Sequence, residues 1–115
     1  MTTDATQQRT TAHHNDILDT LQVAKVTDRA STGGRWVVGT IAGHDFQALV
    51  FPEHAERESY ELADSRISKL WVCRRADNAT LSNFDRGWDI KPATDTAKAI
   101  VDALAAGLAE HIFGR

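Results

Sequence analysis

The sequence predicts an α+β domain, an antiparallel β-meander of about five strands with one C-terminal α-helix packed on one face. Two β-rich runs, residues 35–41 and 44–51, flank Ala42-Gly43, the mark of a tight hairpin. Two further short apolar runs, one through Ile67, Leu70, Trp71 and Val72 and one through Leu81 and Phe84, are separated by an Asp77-Asn78 turn signal. From Thr94 the apolar period becomes helical, with Val101, Leu104, Ala105, Leu108 and Ile112 at i, i+3, i+4, i+7 and i+11.

A chain of 115 residues supports a single modest core, and 42% hydrophobic residues suffice to build it. The expected organisation is a disordered tail over residues 1–14 and one domain over 15–115, because the polar start has no apolar periodicity. A formal charge of -3, from 16 acidic and 13 basic side chains, argues against a general nucleic-acid binder, although a local basic patch fits within such a total. The single cysteine, Cys73, excludes an internal disulfide and a cysteine-rich zinc site. No apolar run is long enough to span a membrane and the start lacks the apolar segment of a signal peptide, so a cytoplasmic protein with no membrane partner is expected.

Along the chain, Asn15 or Asp16 is placed to cap a brief helical turn carrying Ile17, Leu18 and Leu21, which leads into a first strand near residues 21–27. Ser31-Thr32-Gly33-Gly34 is a turn. In the hairpin, Trp36, Val38 and Thr40 share one face and Val37, Gly39 and Ile41 the other, so both faces are partly apolar. Such a sheet has one face under a helix and the other covered partially or by a partner. Pro52 ends the hairpin, and the acidic segment 53–64 is a loop or short surface helix. In the helix, Thr94 or Asp95 caps the start and Gly114 stops the end.

The second strand of the later pair runs into Asp85-Arg86-Gly87-Trp88-Asp89, where a glycine is surrounded by three charges and a large aromatic. Arg66-Ile67-Ser68-Lys69-Leu70 and Phe84-Asp85-Arg86-Gly87-Trp88-Asp89, preceded by Gly39-Thr40-Ile41-Ala42-Gly43 and Phe46-Gln47-Ala48, resemble a family of small uncharacterised proteins of phages, plasmids and other mobile elements. The resemblance covers residues 35–90. It implies a compact domain and assigns no catalytic residue.

Catalytic constellations are sparse. Asp85 and Asp89, four residues apart across a glycine turn, are a carboxylate pair able in principle to hold a cation or share acid and base roles; the plainer role is to hydrogen-bond the turn, with Arg86 pairing one of them. Gly33-Gly34 lacks the Lys and Ser/Thr of a phosphate loop, and His54-Ala55-Glu56-Arg57-Glu58 is not a zinc-binding H-E-x-x-H. There is no G-x-S-x-G elbow, and Cys73, inside a strand, reads as a buried structural thiol. No cofactor is expected.

Arg66, Lys69, Arg74, Arg75 and Arg86 make the later strand pair the basic part of an acidic chain, with Trp71 and Trp88 interleaved. Arg and Trp together mark binding surfaces. Against that stands a core position for Trp71, alternating inward with Ile67 and Cys73, while Trp88 fits core and interface equally. Binding candidates are therefore Asp85, Arg86, Trp88 and Asp89 of the turn, Arg66 and Lys69, and Glu56 and Glu58 of the acidic segment. The expected function is non-enzymatic: a mobile-element protein that binds another macromolecule, a host- or element-encoded protein, and so inhibits a host defence system such as a CRISPR nuclease. The alternatives are a nucleic-acid-binding module using the basic strand face and a metal-assisted enzyme using Asp85 and Asp89. A homodimer through the uncovered sheet face or an edge strand is a further expectation.

Overall fold

The computed structural model describes residues 17–29 and 33–114. The expected tail over 1–14, the cap at Asn15 or Asp16 and the Ser31-Thr32 half of the first turn lie outside the described residues. The architecture is α+β: a six-stranded antiparallel sheet in meander order with one C-terminal helix. The strands are β1 (Gln22–Arg29), β2 (Gly34–Ile41), β3 (His44–Val50), β4 (Ile67–Arg74), β5 (Ala79–Asp85) and β6 (Trp88–Ile90), and the helix is α1 (Asp95–Phe113). The described residues form six strands where about five were expected. The extra one, β6, has three residues, too few to carry an alternation, and pairs Trp88 with Phe84 and Ile90 with Asn83 after the Arg86-Gly87 turn.

Local chemistry explains the connections. The β2–β3 hairpin turns on Ala42 (φ 50) and Gly43 (φ 74), both in the left-handed region that a two-residue turn of primed type requires. The β4–β5 turn ends on Asn78 (φ 59), whose amide donates to Arg74 O at 2.8 Å. Residues 17–19 form a helical turn, fastened by Ala42 N donating to Thr20 Oγ1 at 2.7 Å. The long acidic segment is mostly loop with one 3-10 turn, Glu58–Tyr60. Helix α1 is capped by Thr94 Oγ1, which accepts from Ala97 N at 3.1 Å, and stops at Gly114 (φ 75).

The core lies between α1 and one face of the sheet. Cross-strand register sets Val37, Ala48, Leu70 and Phe84 in one row and Gly39, Phe46, Val72 and Ser82 in the next. Against them pack Ile100, Val101, Leu104 and Leu108 of α1, all buried. Each such aliphatic contributes about 1.5–3 kcal/mol before entropy.

The opposite face carries the rows Trp36, Leu49, Lys69, Asp85 and Val38, Gln47, Trp71, Asn83, Ile90. Trp71 is thus on the open face and not in the core as expected. The cause is a bulge: Val50 pairs with Ile67 and Leu49 with Lys69, so Ser68 is the extra residue and the alternation reverses after it. Leu70 and Val72 take the core side, and half-buried Trp71 donates from Nε1 to Thr80 Oγ1 at 3.3 Å on the other. Cys73 is buried, as expected, with its thiol free.

Candidate functional site

The bulge at Ser68 also builds a cavity. Its carbonyl accepts from Arg86 N at 2.9 Å, which docks the β5–β6 turn against the start of β4. The loop between β3 and β4 folds back over the same end of the sheet, held by Phe51 N donating to Arg66 O (2.9 Å), Leu62 N to Ile67 O (2.8 Å) and the buried Leu62 side chain. Between loop, sheet end and turn lies a cavity of about 490 Å³. Leu49, Phe51, Pro52 and Tyr60 supply apolar wall; Arg29, Arg66, Lys69 and Arg86 supply positive charge; Glu53 and Glu61 are its carboxylates. Size and lining suit a ligand group with a flat or apolar body and an anionic end.

The cations are held in distinct ways. Arg86 (φ 54) places its guanidinium carbon 5.7 Å from the Tyr60 ring centre, and Arg57 lies 5.6 Å from the same ring. Lys69 Nζ lies 5.9 Å from the Trp36 ring centre, so the cavity and the open face share this residue. Asp85 Oδ1 sits between the two cations, 3.7 Å from Lys69 Nζ and 3.8 Å from Arg86 Nε. Arg66 (φ 65) donates from Nη1 to Pro52 O at 3.0 Å.

Three of the residues singled out in the sequence, Arg66, Lys69 and Arg86, therefore converge on one cavity from a loop, a strand and a turn. Asp85 is their counter-charge. Trp88 packs against Phe84 and the core, and Asp89 is exposed on β6; neither lines the cavity. Glu56 and Glu58 are exposed on the loop and also lie outside the lining. Among the described residues, Asp85 and Asp89 are not brought together with a third ligand.

What sequence reasoning missed is a polar cluster in that loop. His54 Nδ1 lies 2.8 Å from Glu61 Oε2 and 3.2 Å from Asp64 Oδ1. Glu61, only 7% exposed, also accepts from Ala55 N through Oε1 at 2.7 Å. Burial pushes the Glu61 carboxyl up, but the Ala55 amide, His54 and the Arg66 amide outweigh it and hold the group below its ordinary range. The hydrogen bond to Glu61 raises His54. Spacings of seven and three residues across an irregular loop match no ligand motif, so only folding reveals the group.

No helix among the described residues is long and apolar enough to cross a membrane. Residues 35–109 match the family model described as Domain of unknown function (DUF7678). No curated protein and no solved structure matches the chain.

Proposed function

The chain belongs to the DUF7678 family, and on that premise we propose that it is a binding protein, not an enzyme, which engages another macromolecule through the basic cavity and the adjoining open sheet face. The observation that carries this reading is the convergence of Arg66, Lys69 and Arg86 beside Tyr60, continuous through Lys69 with Trp36 and Trp71. Aromatic and arginine anchors around a desolvated pocket are where interfaces concentrate their energy. The partner favoured is a host- or element-encoded protein that inserts an acidic side chain into the cavity and lays apolar surface on the tryptophans. Glu56 and Glu58, exposed on the same loop, give its outer side the opposite sign. The resemblance to mobile-element proteins supports extending the reading to an inhibitor of host defence, with a CRISPR nuclease as one target class.

A second reading, single-stranded nucleic acid, is favoured by the lysine over Trp36, since bases stack on aromatic faces while cations follow the backbone. The test is capture from host lysate, with and without nuclease, by the wild-type chain and by a Lys69→Ala/Arg86→Ala variant. A protein that survives nuclease and is held at least about tenfold more weakly by the variant supports the first reading. Capture lost with nuclease favours the second. Equal capture by both chains removes the cavity from the interface. Concentration-dependent dimers that bury Trp36 assign the open face to a second copy.

A further inference from the structure

We propose that His54 Nδ1, Glu61 Oε2 and Asp64 Oδ1 form a binding site for a divalent transition-metal cation of the zinc class. These three donor atoms lie within 4.8 Å of one another, and among the described residues they are the group of His, Cys, Asp and Glu side chains that one ion can reach together. Metal bonds of about 2.0–2.2 Å at tetrahedral angles place neighbouring donors roughly 3.3–3.6 Å apart, so an ion would spread the 2.8 and 3.2 Å separations seen from Nδ1 by a few tenths of an ångström.

The Nδ1–Oε2 contact is a hydrogen bond in the absence of a metal, and a cation would engage Asp64 as well. A single imidazole nitrogen bears at most one proton, and it serves one of the two carboxylate oxygens that face it. A cation between the three atoms satisfies all of them, with Nδ1 giving its lone pair. Glu61 is also oriented from behind, as metal ligands are: Oε1 accepts from the Ala55 amide, and the Arg66 amide holds the carboxylate as well. One imidazole and two carboxylates are a borderline donor set, favouring Zn2+ over Mg2+ or Ca2+, which prefer all-oxygen shells. Three protein ligands leave a position open. His54 and Glu61 also line the basic cavity, so that position borders the cavity wall. The inference stands independently of the proposed partner.

The test is thermal unfolding of the full chain at neutral pH with Zn2+, Mg2+ or Ca2+, alongside the histidine ring-nitrogen NMR spectrum. His54 and Asp64 are 56% and 94% exposed, so His54→Gln and Asp64→Asn leave the core untouched. The expected result is a rise in Tm on the order of 5 °C with excess Zn2+, smaller with Mg2+ or Ca2+, together with a shift of the His54 Nδ1 resonance. Both responses should be lost in each variant. No Tm change with Zn2+, an equal change in the variants, or equal stabilisation by Mg2+ overturns the assignment.

Discussion

Trp88 packs edge-on against Phe84, with ring centroids 5.1 Å apart and planes at 75°. The tryptophan of the Asp85–Asp89 segment therefore anchors β6 to the core, while its neighbour Arg86 turns outward to the cavity. Trp88→Ala should cost about 2–4 kcal/mol in denaturant unfolding, below the usual range for a fully buried tryptophan because the ring is only half-buried. Arg86→Ala should stay within about 0.5 kcal/mol of wild type, since its ion pair is exposed. Comparable losses for the two would mean that the arginine is part of the fold.

Gly39 sits in β2, paired with Val23 of β1. A Cβ there would stand 2.2 Å from Gln22 O and 3.1 Å from Val23 Cα, beside the register shift between Val23 and Lys25. These are backbone atoms and cannot step aside as a side-chain tip can. Gly39→Ala should therefore separate the start of β1, with faster amide exchange in β1 than in β3 and a loss of about 2 kcal/mol or more. Unchanged exchange in β1 would show that the strand absorbs the methyl by sliding.

Ser82 lies on the core face of β5 opposite Val72, fully buried, and its hydroxyl has no hydrogen-bond partner among the described residues. A hydroxyl buried without a partner costs roughly 1–3 kcal/mol. Ser82→Ala removes that cost at the loss of one small atom, so Tm should rise, and a fall would show that the hydroxyl is satisfied.

The sequence made the fold legible where its signals were local. Two left-handed turn residues, a helix with a threonine cap and a glycine stop, and strands of seven or eight residues all leave patterns in neighbouring positions. Trp71 was misplaced because one bulged residue, Ser68, reverses the alternation, and nothing in Ser68 itself announces a bulge. The site was legible as a set of charges, Arg66, Lys69 and Arg86, but not as a cavity, because its other walls come from Tyr60 and Phe51 on a loop without periodicity. The His54, Glu61 and Asp64 cluster was illegible for the same reason: it depends on how that loop folds back, which is set by the buried Leu62 and by backbone bonds to β4.

The β4–β5 turn offers a pH test of its own. Arg74 Nε and Nη2 donate to the two Asp77 carboxylate oxygens at 2.9 and 2.7 Å, and Ala79 N donates to Oδ1 at 3.2 Å. The arginine, then the Ala79 amide, hold the carboxyl down from its ordinary 3.8 to about 2. A lowered carboxyl contributes stability that is fully present above its unfolded value and is lost as pH falls through the folded one. The contribution of Asp77 should accordingly fade between about pH 4 and pH 2, and stay constant above that window. Carboxyl-carbon NMR should give an Asp77 midpoint near 2, and Arg74→Gln should return it most of the way to the ordinary value, stopping short because the Ala79 amide remains. A midpoint unmoved by that substitution would transfer the effect from the arginine to the turn backbone.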